Sequence, residues 1–316
     1  MKLLAIVWDF DPAIFTIGGF EVRWYSLTWV AALLFGGWLF AYFCKREGKP
    51  GSVSDTAFMY IALGTIIGAR LGHCLFYNPV QFLTHPWEII TGIRDGGLAS
   101  HGAAIGIVLG IWLSSRKNHV PVLWTADRLG IIAPMSGAMI RFGNLFNSEI
   151  FGHATDLPWG FKFINSTEAK HAYDKHVDSC KKLGIDPIER CDWAVENVPF
   201  SHPTQIYEAL CYIVCFAILF VLYRYTKVAQ RKGFIFGAAM VGIFLSRFII
   251  EFVKNNQETF EEGMMLNMGQ WLSVPFIVAG IIFMVAAWFY HKEEPVAEPK
   301  AAPATSTHKN KRHFKK

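Results

Sequence analysis

The stretch SGAMIRFGNLFNSEIFG, residues 136–152, decides how the rest of the chain is read. It begins with small and apolar residues of the kind that lie in lipid as a helix. Arg141 sits inside it, and Asn144, Asn147 and Glu149 follow in quick succession. A charge at the centre of a membrane helix costs about 2.5–3.5 kcal/mol on insertion scales, so it faces a partner or a wet cavity. Arg141 and Asn144 are three apart and share a helix face. The guanidinium is a planar, permanently protonated fork that matches phosphate and carboxylate. Two readings follow: a structural arginine paired with an internal carboxylate, or a holder of an anionic headgroup at the membrane interface.

Composition favours the membrane setting. The chain has 316 residues, 53% hydrophobic and only 17% charged, against about 25% charged in soluble domains. Several apolar runs approach the roughly 20 residues that a spanning helix needs. The net charge of +5 is concentrated in the tail KNKRHFKK. It implies contact with anionic lipid and no nucleic-acid groove. No cleavable signal peptide is expected, because residues 1–7 lack a long apolar core and Asp9 and Asp11 follow at once. Cys44, Cys74, Cys211 and Cys215 lie in or beside apolar runs, whereas Cys180 and Cys191 lie in a polar segment. A disulfide between these two and a pair of free thiols are both open readings. No Cys/His spacing resembles a metal site.

The expected architecture is an all-α integral membrane protein with seven transmembrane helices and a small extracytoplasmic insert. Residues 1–23 form an outer amphipathic lead. Spans are expected at 24–43, 56–77, 98–114, 126–146, 204–225, 234–253 and 268–290. These make two membrane blocks, 24–146 and 204–292, around a polar insert at 147–203. Residues 293–316 read as a disordered basic tail. Lys and Arg in short loops mark the cytoplasmic side. Lys45, Arg46, Lys49, Arg116, Lys117, Arg128 and the run from Arg224 to Lys232 fall on one side, and only Arg94 and Lys254 on the other. The N-terminus and the insert are therefore expected outside, and the C-terminus inside.

This topology gathers Tyr25, His101, Arg141, Arg247 and Glu251 toward the outer leaflet. Arg247 and Glu251 are four apart and share a helix face. They are either an internal ion pair or a carboxylate orienting an arginine toward an anion. A phosphodiester would supply negative charge and bidentate acceptors to two arginines at one depth. His101 lies among Gly97, Gly102 and Ala103. It is either a packed core histidine or a neutral imidazole able to take a proton. Arg70 is read as structural, pairing with backbone or with Glu208. His202, Gln205, Tyr207 and Glu208 either line the cavity or cap a helix. A membrane transporter for an anionic substrate is the rival class. Against it, the charges cluster at one leaflet and no internal repeat is visible. An intramembrane protease lacks a serine or aspartate constellation.

The motifs DGGLASHG, MIRFGNLFNSEIFG with DLPWG after it, SHPTQIYEAL, and SRFIIEF followed by MGQWLSVPFIVAG resemble the bacterial prolipoprotein diacylglyceryl transferases in order and spacing. The resemblance covers roughly residues 20–290. His153 stands where members often carry Arg or Lys, and the insert sequence HAYDKHVDSCKKLGIDPIERCDW has no residue-by-residue counterpart. The resemblance implies transfer of a diacylglyceryl group from phosphatidylglycerol to the lipobox cysteine of a prolipoprotein signal peptide. A thioether forms and glycerol phosphate leaves, with no metal or cofactor. It implies a multi-pass protein of the bacterial inner membrane. By motif, Arg141 and Arg247 hold the phosphate, with Asn144, Asn147, Glu149, Gly152 and Glu251 as supporting groups at the lipid. His101 is the candidate base, and Tyr25 a hydrogen-bond partner. Which residue takes the thiol proton stays open.

Overall fold

The computed structural model describes residues 6–18, 20–77, 79–91, 99–255 and 264–289. Three strands precede the helices: β1 (Ile6–Trp8), β2 (Ala13–Ile17) and β3 (Phe20–Arg23). The long helices are α1 (Trp24–Arg46), α2 (Gly51–Tyr77), α5 (Ser100–Lys117), α6 (Val122–Phe146), α9 (Thr204–Tyr225), α10 (Phe234–Ile250) and α11 (Met268–Phe289). Two short helices, α3 (Pro79–Thr84) and α4 (Glu88–Thr91), follow α2. The segment between α6 and α9 carries strand β4 (Phe161–Phe163) and helices α7 (Thr167–Leu183) and α8 (Arg190–Asn197).

Among the described residues, six helices are long and apolar enough to cross a membrane: α1, α2, α6, α9, α11, and α10 with its 3-10 extension to Val253. The expected third span is present as α5. It has 18 residues, with Arg116 and Lys117 in its last turn, so it is shorter and less apolar than the six. At 1.5 Å per residue it is about 27 Å long. It packs on α2 through glycines four apart. Cβ atoms on Gly72 and Gly102 would each lie 2.7 Å from the other's Cα, and Gly64, Gly68 and Gly106 continue the contact along the pair. Small residues at this spacing let helix backbones touch where lipid supplies no hydrophobic drive.

The chain is not purely helical. The N-terminal lead, expected as a separate amphipathic piece, forms strands. β2 and β3 make an antiparallel hairpin, while β1 pairs in parallel with β4. The pairing ties the lead to the 147–203 insert, and Trp8 donates its indole N–H to the Leu145 carbonyl at the end of α6. Within the insert, Ser166 caps α7 by accepting from the Ala169 amide, and Gly184 ends it in a left-handed conformation. All six cysteines are free thiols.

α6 is the most buried of the six apolar helices and packs on α1, α9 and α10. Its first two turns anchor a buried polar cluster. Glu47 accepts hydrogen bonds from Trp124, Arg128 and Tyr223, and Asp127 accepts from the Gly233 and Phe236 amides that open α10. Arg128, read from sequence only as a topology-marking cation, is thus a 6% exposed structural residue. This cluster fixes one end of the bundle, and the residues of interest converge at the other.

Candidate functional site

The site is built on the last two turns of α6 and the turn that follows. Arg141 Nη1 donates to Asn144 Oδ1 at 3.1 Å. Asn144 in turn donates to Glu149 Oε1 at 2.8 Å, and Asn147 donates to the same oxygen at 3.4 Å. The helix cannot continue through this stretch, because Ser148 and Ile150 both adopt positive φ. Non-glycine residues hold such angles only where the surroundings over-determine them. Here the surroundings are the start of α9. Gln205 donates to the Glu149 carbonyl at 2.7 Å, and Thr204 to that of Ile150 at 2.8 Å.

α9 also supplies Glu208, whose side chain is 1% exposed and pairs through Oε2 with Arg141 Nε. Its other oxygen accepts from Lys254 Nζ at 3.3 Å. Lys254 follows the 3-10 turn that ends α10 and lies 3.5 Å from Glu251 Oε2. Arg247 Nε lies 4.0 Å from that same oxygen. Arg141, Glu208, Lys254, Glu251 and Arg247 thus form one chain of alternating charge across α6, α9 and the end of α10. Gly269 leaves room for it: a Cβ there would stand 2.5 Å from the Glu251 carboxyl. Asn267 and Gln270 fix this end of α11 by reciprocal side-chain to backbone hydrogen bonds.

Gly152 closes one side of the cluster. Its amide donates to the His202 carbonyl, and it bridges to Lys254. An added Cβ would collide with Val253, Thr204 and His202. Tyr25 reaches the same helix end, since a Cβ on Gly143 would lie 2.9 Å from its ring. His202 shares a hydrogen bond with the Tyr207 hydroxyl at 3.3 Å, and Trp159 donates to that hydroxyl at 2.8 Å. Partial burial, with the nearby charge of His153 second, pulls the His202 pKa below its usual value.

Among the described residues, five buried side-chain atoms make no hydrogen bond: Asn147 Oδ1, Ser148 Oγ, Gln205 Oε1, Arg247 Nε and Glu208 Oε2, the last having only its ion pair with Arg141. All five belong to this cluster. Buried polar groups are otherwise nearly always satisfied, so their concentration here is what a polar ligand site requires.

Of the two partners open to Arg70, backbone and Glu208, the backbone is the one found: the guanidinium donates to the carbonyls of Glu88 and Ile89, both at 2.8 Å, and lies over the Phe82 ring. His101 is exposed on α5, its ring packed against Phe76 and Tyr77 of α2, and none of its contacts is with Arg141 or Arg247. Its expected neighbour Gly97 lies outside the described residues. Lys254 was read only as a loop cation, yet it is 2% exposed and joins both carboxylates. The one sequence signal was its spacing, three residues after Glu251.

Residues 12–286 match the family model described as prolipoprotein diacylglyceryl transferase. A phosphatidylglycerol–prolipoprotein diacylglyceryl transferase from Porphyromonas gingivalis is 43% identical over 289 residues, covering 89% of this chain and 94% of the relative. Proteins of the same name from Tolumonas auensis and Bacteroides fragilis are 39% and 35% identical, covering 89% and 93% of this chain and 96% and 98% of theirs. With the match running across the β2–β3 hairpin, the α6 turn and the α10–α11 junction, the chain belongs to the prolipoprotein diacylglyceryl transferase family.

Proposed function

We propose that this chain transfers the diacylglyceryl group of phosphatidylglycerol to the thiol of a lipobox cysteine in a prolipoprotein signal peptide. The family membership supports this reading. The observation that carries it to particular residues is the arginine pair, Arg141 and Arg247, in a cluster holding all five buried atoms that make no hydrogen bond. The thiolate sulfur attacks the glyceryl carbon that bears the phosphate. The carbon–sulfur bond forms, the carbon–oxygen bond breaks, and the electron pair leaves with glycerol phosphate. Negative charge grows on the departing phosphate, where pre-placed guanidiniums stabilise it most. Asn144, Asn147 and Glu149 hold Arg141 in place; Glu251 does so for Arg247; Gly152 permits the close backbone approach beneath them. A thiol with a pKa near 8.5 needs a base or a positive field to ionise at neutral pH. His101 is the candidate base in this reading, and Tyr25 the candidate hydrogen-bond partner of the reacting group.

The same reading places α5 as a seventh span, supported by its glycine contact with α2. It puts the end of the bundle carrying Lys45, Arg46, Lys49, Arg116, Lys117, Arg224 and Lys232 in the cytoplasm of a bacterium, and the insert outside the inner membrane. Nothing favours the transporter alternative. Purified protein incubated with phosphatidylglycerol radiolabelled in its acyl chains and a lipobox peptide should yield labelled peptide. A peptide with serine replacing the lipobox cysteine should stay unlabelled. Equal labelling of both peptides, or of neither, would contradict the assignment.

A further inference from the structure

Resting on that reading of the site, we propose that Lys254 is a positioning residue, which shares the charge of Glu208 and Glu251 so that Arg247 stays open to the phosphodiester.

Glu208 and Glu251 are 1% and 6% exposed, and each faces one of the site arginines. Arg141 is already paired with Glu208; left alone, buried Glu251 would draw Arg247 into a closed ion pair in the same way, because opposite charges out of water attract strongly. Lys254 stands between them, 3.3 Å from Glu208 Oε1 and 3.5 Å from Glu251 Oε2. It takes up charge on the Glu208 oxygen that Arg141 does not use, and at Glu251 it stands nearer than Arg247 to the oxygen that the two share. The consequence is visible at Arg247, whose Nε is 4.0 Å from Glu251 and has no hydrogen-bond partner. Glu149, the remaining carboxylate at the site, is occupied by the amides of Asn144 and Asn147.

Lys254 is also held by the fold. Its amide bonds back to the Glu251 carbonyl, and its backbone bridges to Gly152. The ammonium is therefore placed from both ends. A compact point charge with three donors suits this task, since it serves two carboxylates without a preferred plane.

The test uses the full chain in detergent, with phosphatidylglycerol and a lipobox peptide. It measures transfer kinetics and the equilibrium binding of phosphatidylglycerol. Lys254→Met keeps the stem and removes the charge. Its KM and Kd for phosphatidylglycerol should rise about tenfold or more, with a smaller change in kcat. Lys254→Arg should recover most of the binding. Adding Glu208→Gln to Lys254→Met removes the uncovered carboxylate and should recover part of the lost affinity, an effect that damaged packing would not produce. Unchanged lipid binding in Lys254→Met, or further loss in the double variant, would overturn the proposal. If Lys254→Met does not accumulate, Lys254→Gln takes its place under the same criteria. Failure of both to accumulate beside a normal Lys254→Arg would assign Lys254 to folding and also overturn it. Wild type that binds phosphatidylglycerol without transferring its diacylglyceryl group would contradict the transferase reading alone, and binding would still judge Lys254.

Discussion

The Arg141 guanidinium on α6 is paired with the carboxylate of Glu208 on α9, which is almost wholly buried. The two sequence readings of Arg141 are therefore compatible. It has an internal carboxylate partner through Nε, and through Nη1 it also reaches Asn144, at the start of the row of amides leading to Glu149. Pairing through the edge of the guanidinium fixes its plane while leaving the fork directed into the polar cluster.

Arg247→Ala and Glu251→Ala should both lose transfer activity, but only the second should also destabilise the protein. Removing Glu251 leaves buried Lys254 with a single carboxylate partner, and breaking a buried pair costs about 3–5 kcal/mol. Thermal unfolding in detergent, measured beside transfer, checks this. Normal transfer by Arg247→Ala would make the pair structural.

Gly152→Val should abolish activity and lower stability. Even a Cβ there would collide with Val253, Thr204 and His202, and overpacking typically costs about 1–3 kcal/mol. A variant with wild-type unfolding temperature and turnover would show that the close approach is not needed.

Much of this was legible in the sequence because lipid imposes simple rules. Apolar length placed the helices, and α1, α6, α9 and α11 begin or end within a few residues of expectation. The row from Arg141 to Glu149 was readable because helix spacing and a polar run in an apolar context both pointed to it. Contacts between distant segments were not readable. Nothing local shows that residues 6–8 pair with 161–163, since strand pairing is set by tertiary packing. Glu208 was ambiguous for the same reason, and Arg70 was given it as one of two partners. Lys254 was hidden because a lysine near a helix end is normally solvated. Its burial follows only once α6, α9 and α10 converge.

His202 links folding to pH. Its folded pKa lies below the usual histidine value because burial disfavours the charged ring. The unfolded chain then binds more protons as pH falls, so stability should decline as pH drops below the unfolded histidine value, about 6.5. Replacing His202 with Gln should flatten that decline between pH 7 and pH 5, as read by unfolding temperature. An unchanged slope would remove His202 as a source.

His101→Gln keeps hydrogen-bonding capacity and loses basicity. If His101 takes the thiol proton, transfer should slow strongly at pH 7. The defect should shrink toward pH 9, where the peptide thiol ionises unaided. A constant ratio of wild type to variant from about pH 6.5 to 9 would remove His101 from the base role and leave the arginine field to lower the thiol pKa.

The most direct measurement is single-turnover transfer from phosphatidylglycerol to a lipobox peptide by wild type and Arg141→Lys, following thioether product and released glycerol phosphate together. Lysine retains the charge and loses the planar fork. The account predicts equal amounts of both products from wild type, and a fall of about 100-fold or more for a properly inserted Arg141→Lys. Near-normal turnover by Arg141→Lys, or thioether formed without glycerol phosphate, would contradict it.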